Sequence, residues 1–202
     1  VLLEAMHPSG SAHMFEFTSI YSMTSGHAAV EIQPSGGLPL VVASNPERYK
    51  DFAATPVQTS EIIAQVGALV KSTDKSSPFA GQPVRKIVLA GTSATAGTLI
   101  GYLNAHMVYR TPDMQRIYDG FMPTSNGSVI RPIDVPLVHV PTMHEVQGAN
   151  ITTRPDGDAP GDQYRLYSFP GMGHVDSRDN VRLLPNPCAN SLDTFPAQAY
   201  MS

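Results

Sequence analysis

The chain holds one cysteine, Cys188, in 202 residues. An intrachain disulfide is therefore impossible, and a cysteine-based zinc site is excluded. Positive charge is scarce too. Thirteen Lys and Arg stand against 17 Asp and Glu, a formal net charge of −4, with no basic cluster. Such a chain suits neither nucleic acid nor an anionic membrane surface as a partner. No apolar run is long enough to span a bilayer. No segment reads as a secretory leader, which leaves the compartment open. A phosphate-cradling Gly-x-x-x-x-Gly-Lys-Ser/Thr loop is missing, and Gly171-Met172-Gly173 is too short for a dinucleotide fingerprint. His139 and His144 lack the His-Glu-x-x-His spacing of a zinc helix. The sequence therefore calls for no cofactor and no metal.

What is present is alternation of strand-like and helix-like segments. Strands are expected over residues 1–5, 28–33, 86–90, 117–122, 135–140 and 164–169, and 40–43 is a short apolar run that suits a strand or a loop. Residues 14–24 read as a helix stopped at Gly26, and Asn45-Pro46 as a turn opening a short helical piece. Thr59 or Ser60 can cap a helix that carries Ile62, Ile63, Val66, Leu69 and Val70 at 3.6-residue spacing. A second helix follows Ser93 and sets Ala96, Leu99, Ile100, Leu103 and Met107 on its core side. Residues 154–163 read as a turn-rich loop. With no repeat and no linker, the expectation is one α/β domain over 1–202, a mostly parallel sheet covered by helices.

The segment Val88-Leu89-Ala90-Gly91-Thr92-Ser93-Ala94-Thr95-Ala96-Gly97 is the most informative. An apolar strand runs into a glycine, a serine and then small residues that open a helix. These are the parts of a nucleophile elbow, a sharp strand-to-helix turn that exposes a serine hydroxyl. Gly91 permits close backbone approach, and Ala94 and Gly97 allow the helix to sit tight on the strand. A serine needs an imidazole to take its proton, and the imidazole needs a carboxylate to fix its tautomer. In the order Ser, acid, His, the candidates are Ser93, Glu145 after one strand and His174 after the last. Asp119, Asp156 and Asp158 are alternative acids. The oxyanion would be met by two backbone N–H groups, that of Ala94 and one from the loop after the first strand. Met6 and His7 are the candidates there, because Pro8 has no N–H.

Together these segments resemble the α/β-hydrolase superfamily, and more narrowly a group of bacterial and fungal α/β-hydrolase domain proteins. The resemblance rests on the elbow and Leu103-Asn104-Ala105, on Tyr118-Asp119-Gly120-Phe121-Met122-Pro123 and on Asn45-Pro46-Glu47-Arg48-Tyr49. Thr142 to Glu145 and Gly171-Met172-Gly173-His174-Val175-Asp176 complete it. It implies an esterase-like serine hydrolase with Ser93 as nucleophile, Glu145 as acid and His174 as base. Thr95 stands where the widespread Gly-x-Ser-x-Gly pattern has glycine, and Met143 and His144 depart from the residues expected beside the acid. The fold would carry strands before Val1 and a helix after Ser202, so the chain is expected to be a piece truncated at both ends.

The expected activity is hydrolysis of a small-molecule carboxylic ester through an acyl-enzyme; the alternative is a non-catalytic, hydrolase-like binding or structural protein. Residues 7–15, 123–132 and 147–161 are the candidate substrate loops, with Met14, Phe15, Phe121 and Met122 as apolar lining. Nothing in the residues selects the ester.

Overall fold

Ile87, Leu89, Ala90 and Gly91 are almost wholly buried, and a run so apolar is stable only where a sheet is covered on both faces. It forms the central strand β3 (Val88–Thr92) of a computed structural model that describes residues 1–5, 14–33, 37–148 and 154–174. The chain passes through β1 (Leu2–Ala5), α1 (Met14–Thr24), β2 (Ala29–Ile32), α2 (Leu38–Ser44), α3 (Pro46–Tyr49) and α4 (Thr59–Lys71) before β3. It continues through α5 (Ala94–His106), β4 (Gly120–Thr124), β5 (Leu137–His139), α6 (Met143–Gly148), β6 (Gly157–Ala159) and β7 (Asp162–Leu166).

Among the described residues, seven strands lie in the order β2-β1-β3-β4-β5-β7-β6. All pairings are parallel except β6 with β7. From β1 the chain steps outward to β2, then returns across β1 to β3 and builds the other half. The direction of winding reverses between β1 and β3. At such a switch point the loops leaving the two strands diverge and open a crevice at their carboxyl ends. Ser93 follows β3 directly, so it stands at that crevice.

One side of the sheet is packed by α4 and α5. Tyr102, Tyr118 and Phe121 form an aromatic cluster there, Tyr102 meeting Tyr118 edge-on at 5.3 Å between centroids. The buried Tyr118 hydroxyl donates to the Ile63 carbonyl of α4 at 2.6 Å, satisfying its one polar atom. Gly67 makes this approach possible, since a Cβ there would fall 2.5 Å from Ile117 and 2.7 Å from Tyr118. No helix among the described residues is long and apolar enough to cross a membrane.

Several expectations shift. Residues 40–43 belong to helix α2, because Pro39 suits its first turn, where a missing N–H is harmless. Asn45 then ends α2 and caps α3, accepting the Arg48 N–H. Helix α4 is not capped by Thr59 or Ser60: it grows from a 3₁₀ turn, Pro56–Gln58, in which the Thr55 N–H donates to Gln58 Oε1 at 2.8 Å. On α5 the buried face is Leu99, Tyr102, Leu103 and His106, and Met107 is exposed. The expected fourth strand begins later, at Gly120. Residues 154–163 hold β6 and a turn into β7, a hairpin that short Gly-Asp-Ala lettering conceals. Phe121 belongs to the core, not to a substrate wall. Met6, His7, Pro8 and Cys188 lie outside the described residues, as do the side chains of Met14 and Phe15.

Glu4 is a carboxyl built into the sheet. Alternation along β1 sends Leu3 and Ala5 to one face and Glu4 to the other, where it is 2% exposed and Thr18 of α1 donates to it at 3.4 Å. Burial pushes its carboxyl up to about 7; the Thr18 bond pulls back, and Glu31, its register partner on β2, pushes further. With the folded value raised, Glu4 opposes folding progressively as pH climbs from 4.5 to about 7, and by a constant amount above that. Glu4→Gln is therefore expected to raise stability at pH 8 by roughly 1–3 kcal/mol, with the gain vanishing near pH 4.5. Urea denaturation at the two pH values checks it, and equal midpoints at pH 8 would refute it.

Candidate active site

Ser93 sits at φ 57° and ψ −119°, a backbone state that L-residues avoid. Such a residue costs of order 1–3 kcal/mol and persists only when its surroundings over-determine it. The restraints here are specific. The Ser93 N–H donates to the Thr124 carbonyl of β4 at 3.0 Å. Thr95 closes the turn with its hydroxyl, taking the Thr92 N–H at 3.0 Å and donating to the Thr92 carbonyl at 2.8 Å. This accounts for a hydroxyl residue where the common pattern has glycine. The Thr92 and Thr124 hydroxyls pair at 2.7 Å across the strands. Gly91 is needed, because a Cβ would fall 2.5 Å from the Thr95 carbonyl oxygen. Gly97 is not pinched against the strand as expected: a Cβ there would meet only Asn126 Nδ2, at 3.6 Å.

Glu145, the candidate acid, is placed by a helix cap. Thr142-Met143-His144-Glu145 has the Thr-x-x-Glu spacing of a capping box, in which the glutamate reaches back to the first N–H of the helix. Glu145 Oε2 accepts the Thr142 N–H at 2.7 Å and also the Thr142 hydroxyl. Its other oxygen, Oε1, is thereby left pointing at His174 Nδ1, 2.5 Å away. The loop carrying His174 is tied to this helix by the Met143 N–H, which donates to the Met172 carbonyl at 2.8 Å. His144 flanks the arrangement, its ring 5.8 Å from that of His174.

A carboxylate can only accept, so His174 Nδ1 carries the proton and donates it to Glu145. His174 Nε2 is then the free acceptor, and the Ser93 hydroxyl lies 2.8 Å from it. Burial works against the Glu145 charge, but the hydrogen bonds from Thr142 and His174 outweigh it and hold the carboxyl below its ordinary value. The structure thus brings Ser93, His174 and Glu145 into one line.

The alternative acids are occupied elsewhere. Asp119 precedes β4, at the opposite end of the strand from Ser93's crevice, and pairs with Lys71 at 2.9 Å and Lys86 at 3.2 Å. Asp156 accepts the Leu166 N–H, and Asp158 pairs with Arg165. Ala94 opens helix α5 directly after Ser93, where first-turn N–H groups have no partner within the helix. His7 lies outside the described residues. Ala5, the last residue of β1, has its neighbour Glu4 in register with Ala90, so the chain leaves β1 beside the elbow. Among the described residues no group of three His, Cys, Asp or Glu is placed to hold a metal ion.

A family model described as alpha/beta hydrolase domain matches residues 1–201. The chain belongs to the α/β-hydrolase family. A comparison with curated proteins returned no match. Membership carries a hydrolase-type function for the domain.

Two groups of this α/β hydrolase escaped the sequence reading. Thr142 was legible in principle, since Thr-x-x-Glu is a local signal. Asn126 was not: it donates to the Ser93 carbonyl at 3.1 Å from a loop 33 residues downstream.

Thr142→Ala is expected to raise the Glu145 carboxyl toward its ordinary value, visible as a higher titration midpoint in carbon NMR. Glu145's depressed value gives stability above the unfolded pKa that is lost as pH falls through the folded one; the variant narrows that window and loses ~1 kcal/mol at neutral pH. An unmoved midpoint would contradict the cap. Gly91→Ala should cost about 1–3 kcal/mol by overpacking, while Gly97→Ala should be neutral or stabilising by up to ~1 kcal/mol. Thermal melts of the pair read the difference directly.

Proposed function

We propose that this α/β hydrolase is a serine hydrolase that cleaves small-molecule carboxylic esters. The observation that carries the reading is the 2.8 Å approach of Ser93 Oγ to His174 Nε2, with Glu145 2.5 Å behind on Nδ1. Ser93 Oγ attacks the ester carbonyl carbon while His174 Nε2 takes its proton. The imidazolium so formed is held by Glu145, whose charge Thr142 keeps in place. The tetrahedral oxyanion is met by the Ala94 N–H and by a second N–H from the loop after β1, where Met6 and His7 are the candidates. His174 then returns the proton to the leaving alcohol, and an acyl group remains on Ser93. Water repeats the sequence, with His174 again the base, and releases the acid.

Support for the oxyanion assignment comes from position. Ala94 heads a helix whose dipole favours negative charge at that end, and β1 adjoins β3 at the switch point. A lost oxyanion donor typically lowers rate ~10²–10³-fold, so the loop after β1 belongs to the reading as much as the serine does.

Labelling with a fluorophosphonate, followed by mass spectrometry, tests it. A single adduct on Ser93 is expected, absent in Ser93→Ala and slowed roughly 10²–10⁴-fold in His174→Ala. Short-chain p-nitrophenyl esters should turn over and lose activity in the same variants. A folded protein without adduct or turnover would leave a non-catalytic binding role in its place.

A further inference from the structure

Catalysis by Ser93 requires that the Ser93–Ala94 peptide face one way. The peptide unit is planar and trans, so the Ser93 C=O and the Ala94 N–H point in opposite directions from the same rigid plate. Whatever fixes that carbonyl also aims that N–H. The plate joins a residue with positive φ to the first residue of a helix, where the helix alone restrains it weakly: one bond, from the Gly97 N–H to the Ser93 carbonyl, at 3.2 Å.

Asn126 supplies a second. Its Nδ2 donates to the Ser93 carbonyl at 3.1 Å. The orientation of the amide is set by its other end, because Oδ1 accepts the Ser128 N–H at 2.9 Å and only Nδ2 is left to face Ser93. The backbone of Asn126 is itself held from the sheet. Its carbonyl accepts the His139 Nε2–H at 2.7 Å. With Nε2 protonated, His139 Nδ1 is an acceptor, and the buried Tyr164 hydroxyl donates to it at 2.9 Å. Burial lowers the His139 pKa and favours the neutral ring, as acceptance of the Tyr164 hydroxyl at Nδ1 requires. The Arg154 guanidinium covers the Tyr164 ring at 3.8 Å. A chain of directed hydrogen bonds thus runs from β7 through the end of β5 to the loop after β4 and ends on the elbow.

We infer that Asn126, braced by His139 and Tyr164, is a positioning residue that aims the Ala94 N–H at the oxyanion. The inference rests on the serine-hydrolase reading and adds a residue to it. Asn126 touches no reacting atom. It acts through the peptide plate, so removing it weakens an interaction that exists only when the oxyanion forms. That is a loss in kcat with little change in KM.

The test uses the unaltered protein, Asn126→Ala and Asn126→Asp, with p-nitrophenyl butyrate turnover, fluorophosphonate inactivation rates and thermal melts. Asn126→Asp keeps the acceptor for the Ser128 N–H but sets a charged oxygen in place of the donor to Ser93, whereas Asn126→Ala removes the donor without adding charge. Both variants are expected to lose roughly 10–100-fold in kcat and in inactivation rate, with KM within about twofold. Asn126→Asp at the unaltered rate would overturn the inference, reducing Asn126 to a loop-shaping residue, and so would a loss confined to KM. If Asn126→Ala does not fold, an unaltered rate in Asn126→Asp still overturns the inference. An unaltered protein that neither turns over ester nor labels at Ser93 overturns the serine-hydrolase reading, and this inference with it.

Discussion

The constraint on which the site depends is the backbone of Ser93, held where an L-residue does not rest by choice. A serine at φ 57° presents its side chain outward from a turn too tight for ordinary dihedrals. It stays there because neighbours leave no cheaper arrangement. Gly91 removes the Cβ that would strike the returning chain, Thr95 satisfies both polar groups of Thr92, and Thr124 holds the Ser93 N–H. These restraints come from two strands and a helix, so the elbow is only as rigid as the β3–β4 pairing beneath it. Relaxation of the turn would draw Ser93 Oγ away from the imidazole.

The two buried glutamates make a useful contrast. Glu4 and Glu145 are 2% and 7% exposed, so desolvation presses on both. Glu145 receives hydrogen bonds from an N–H, a hydroxyl and an imidazole, and its carboxyl is held down. Glu4 has one long bond from Thr18 and a like charge beside it, and its carboxyl is pushed up to about 7. The donors that surround a buried acid decide its charge. A cap at the start of a six-residue helix, together with the His174 imidazole, holds the Glu145 carboxyl below its ordinary value.

Legibility in the sequence followed the range of the interaction. The elbow was readable because a strand, a glycine, a serine and small residues form a contiguous pattern, and its place in a parallel sheet followed from the alternation around it. Glu145 was readable only as one acid among four. What separates it from Asp119 is the end of the strand on which each falls, and Asp119 lies just before β4. The helix at 38–44 was misread because Val41 and Val42 favour strands, while the site of Pro39 in the first turn outweighs them. Strand β6 was hidden because Gly157-Asp158-Ala159 has no strand propensity of its own and is held by its partner. No local pattern at Asn126 or His139 announced their tie to the elbow, since it lies in bonds to residues distant in the chain.

Strand β6 also has a bearing on how the protein keeps to itself. A parallel sheet that ended at β7 would offer a five-residue row of unpaired backbone groups to any extended chain nearby. The antiparallel return pairs with Asp162, Gln163 and Tyr164 of that row and, among the described residues, presents an outer edge of three residues, one of them Asp158, with Pro160 in the turn that follows. A short, charged rim of this kind is a poor template for strand addition by another molecule. Since β7 leads directly into the segment bearing His174, the hairpin shields from aggregation the strand that sustains the imidazole.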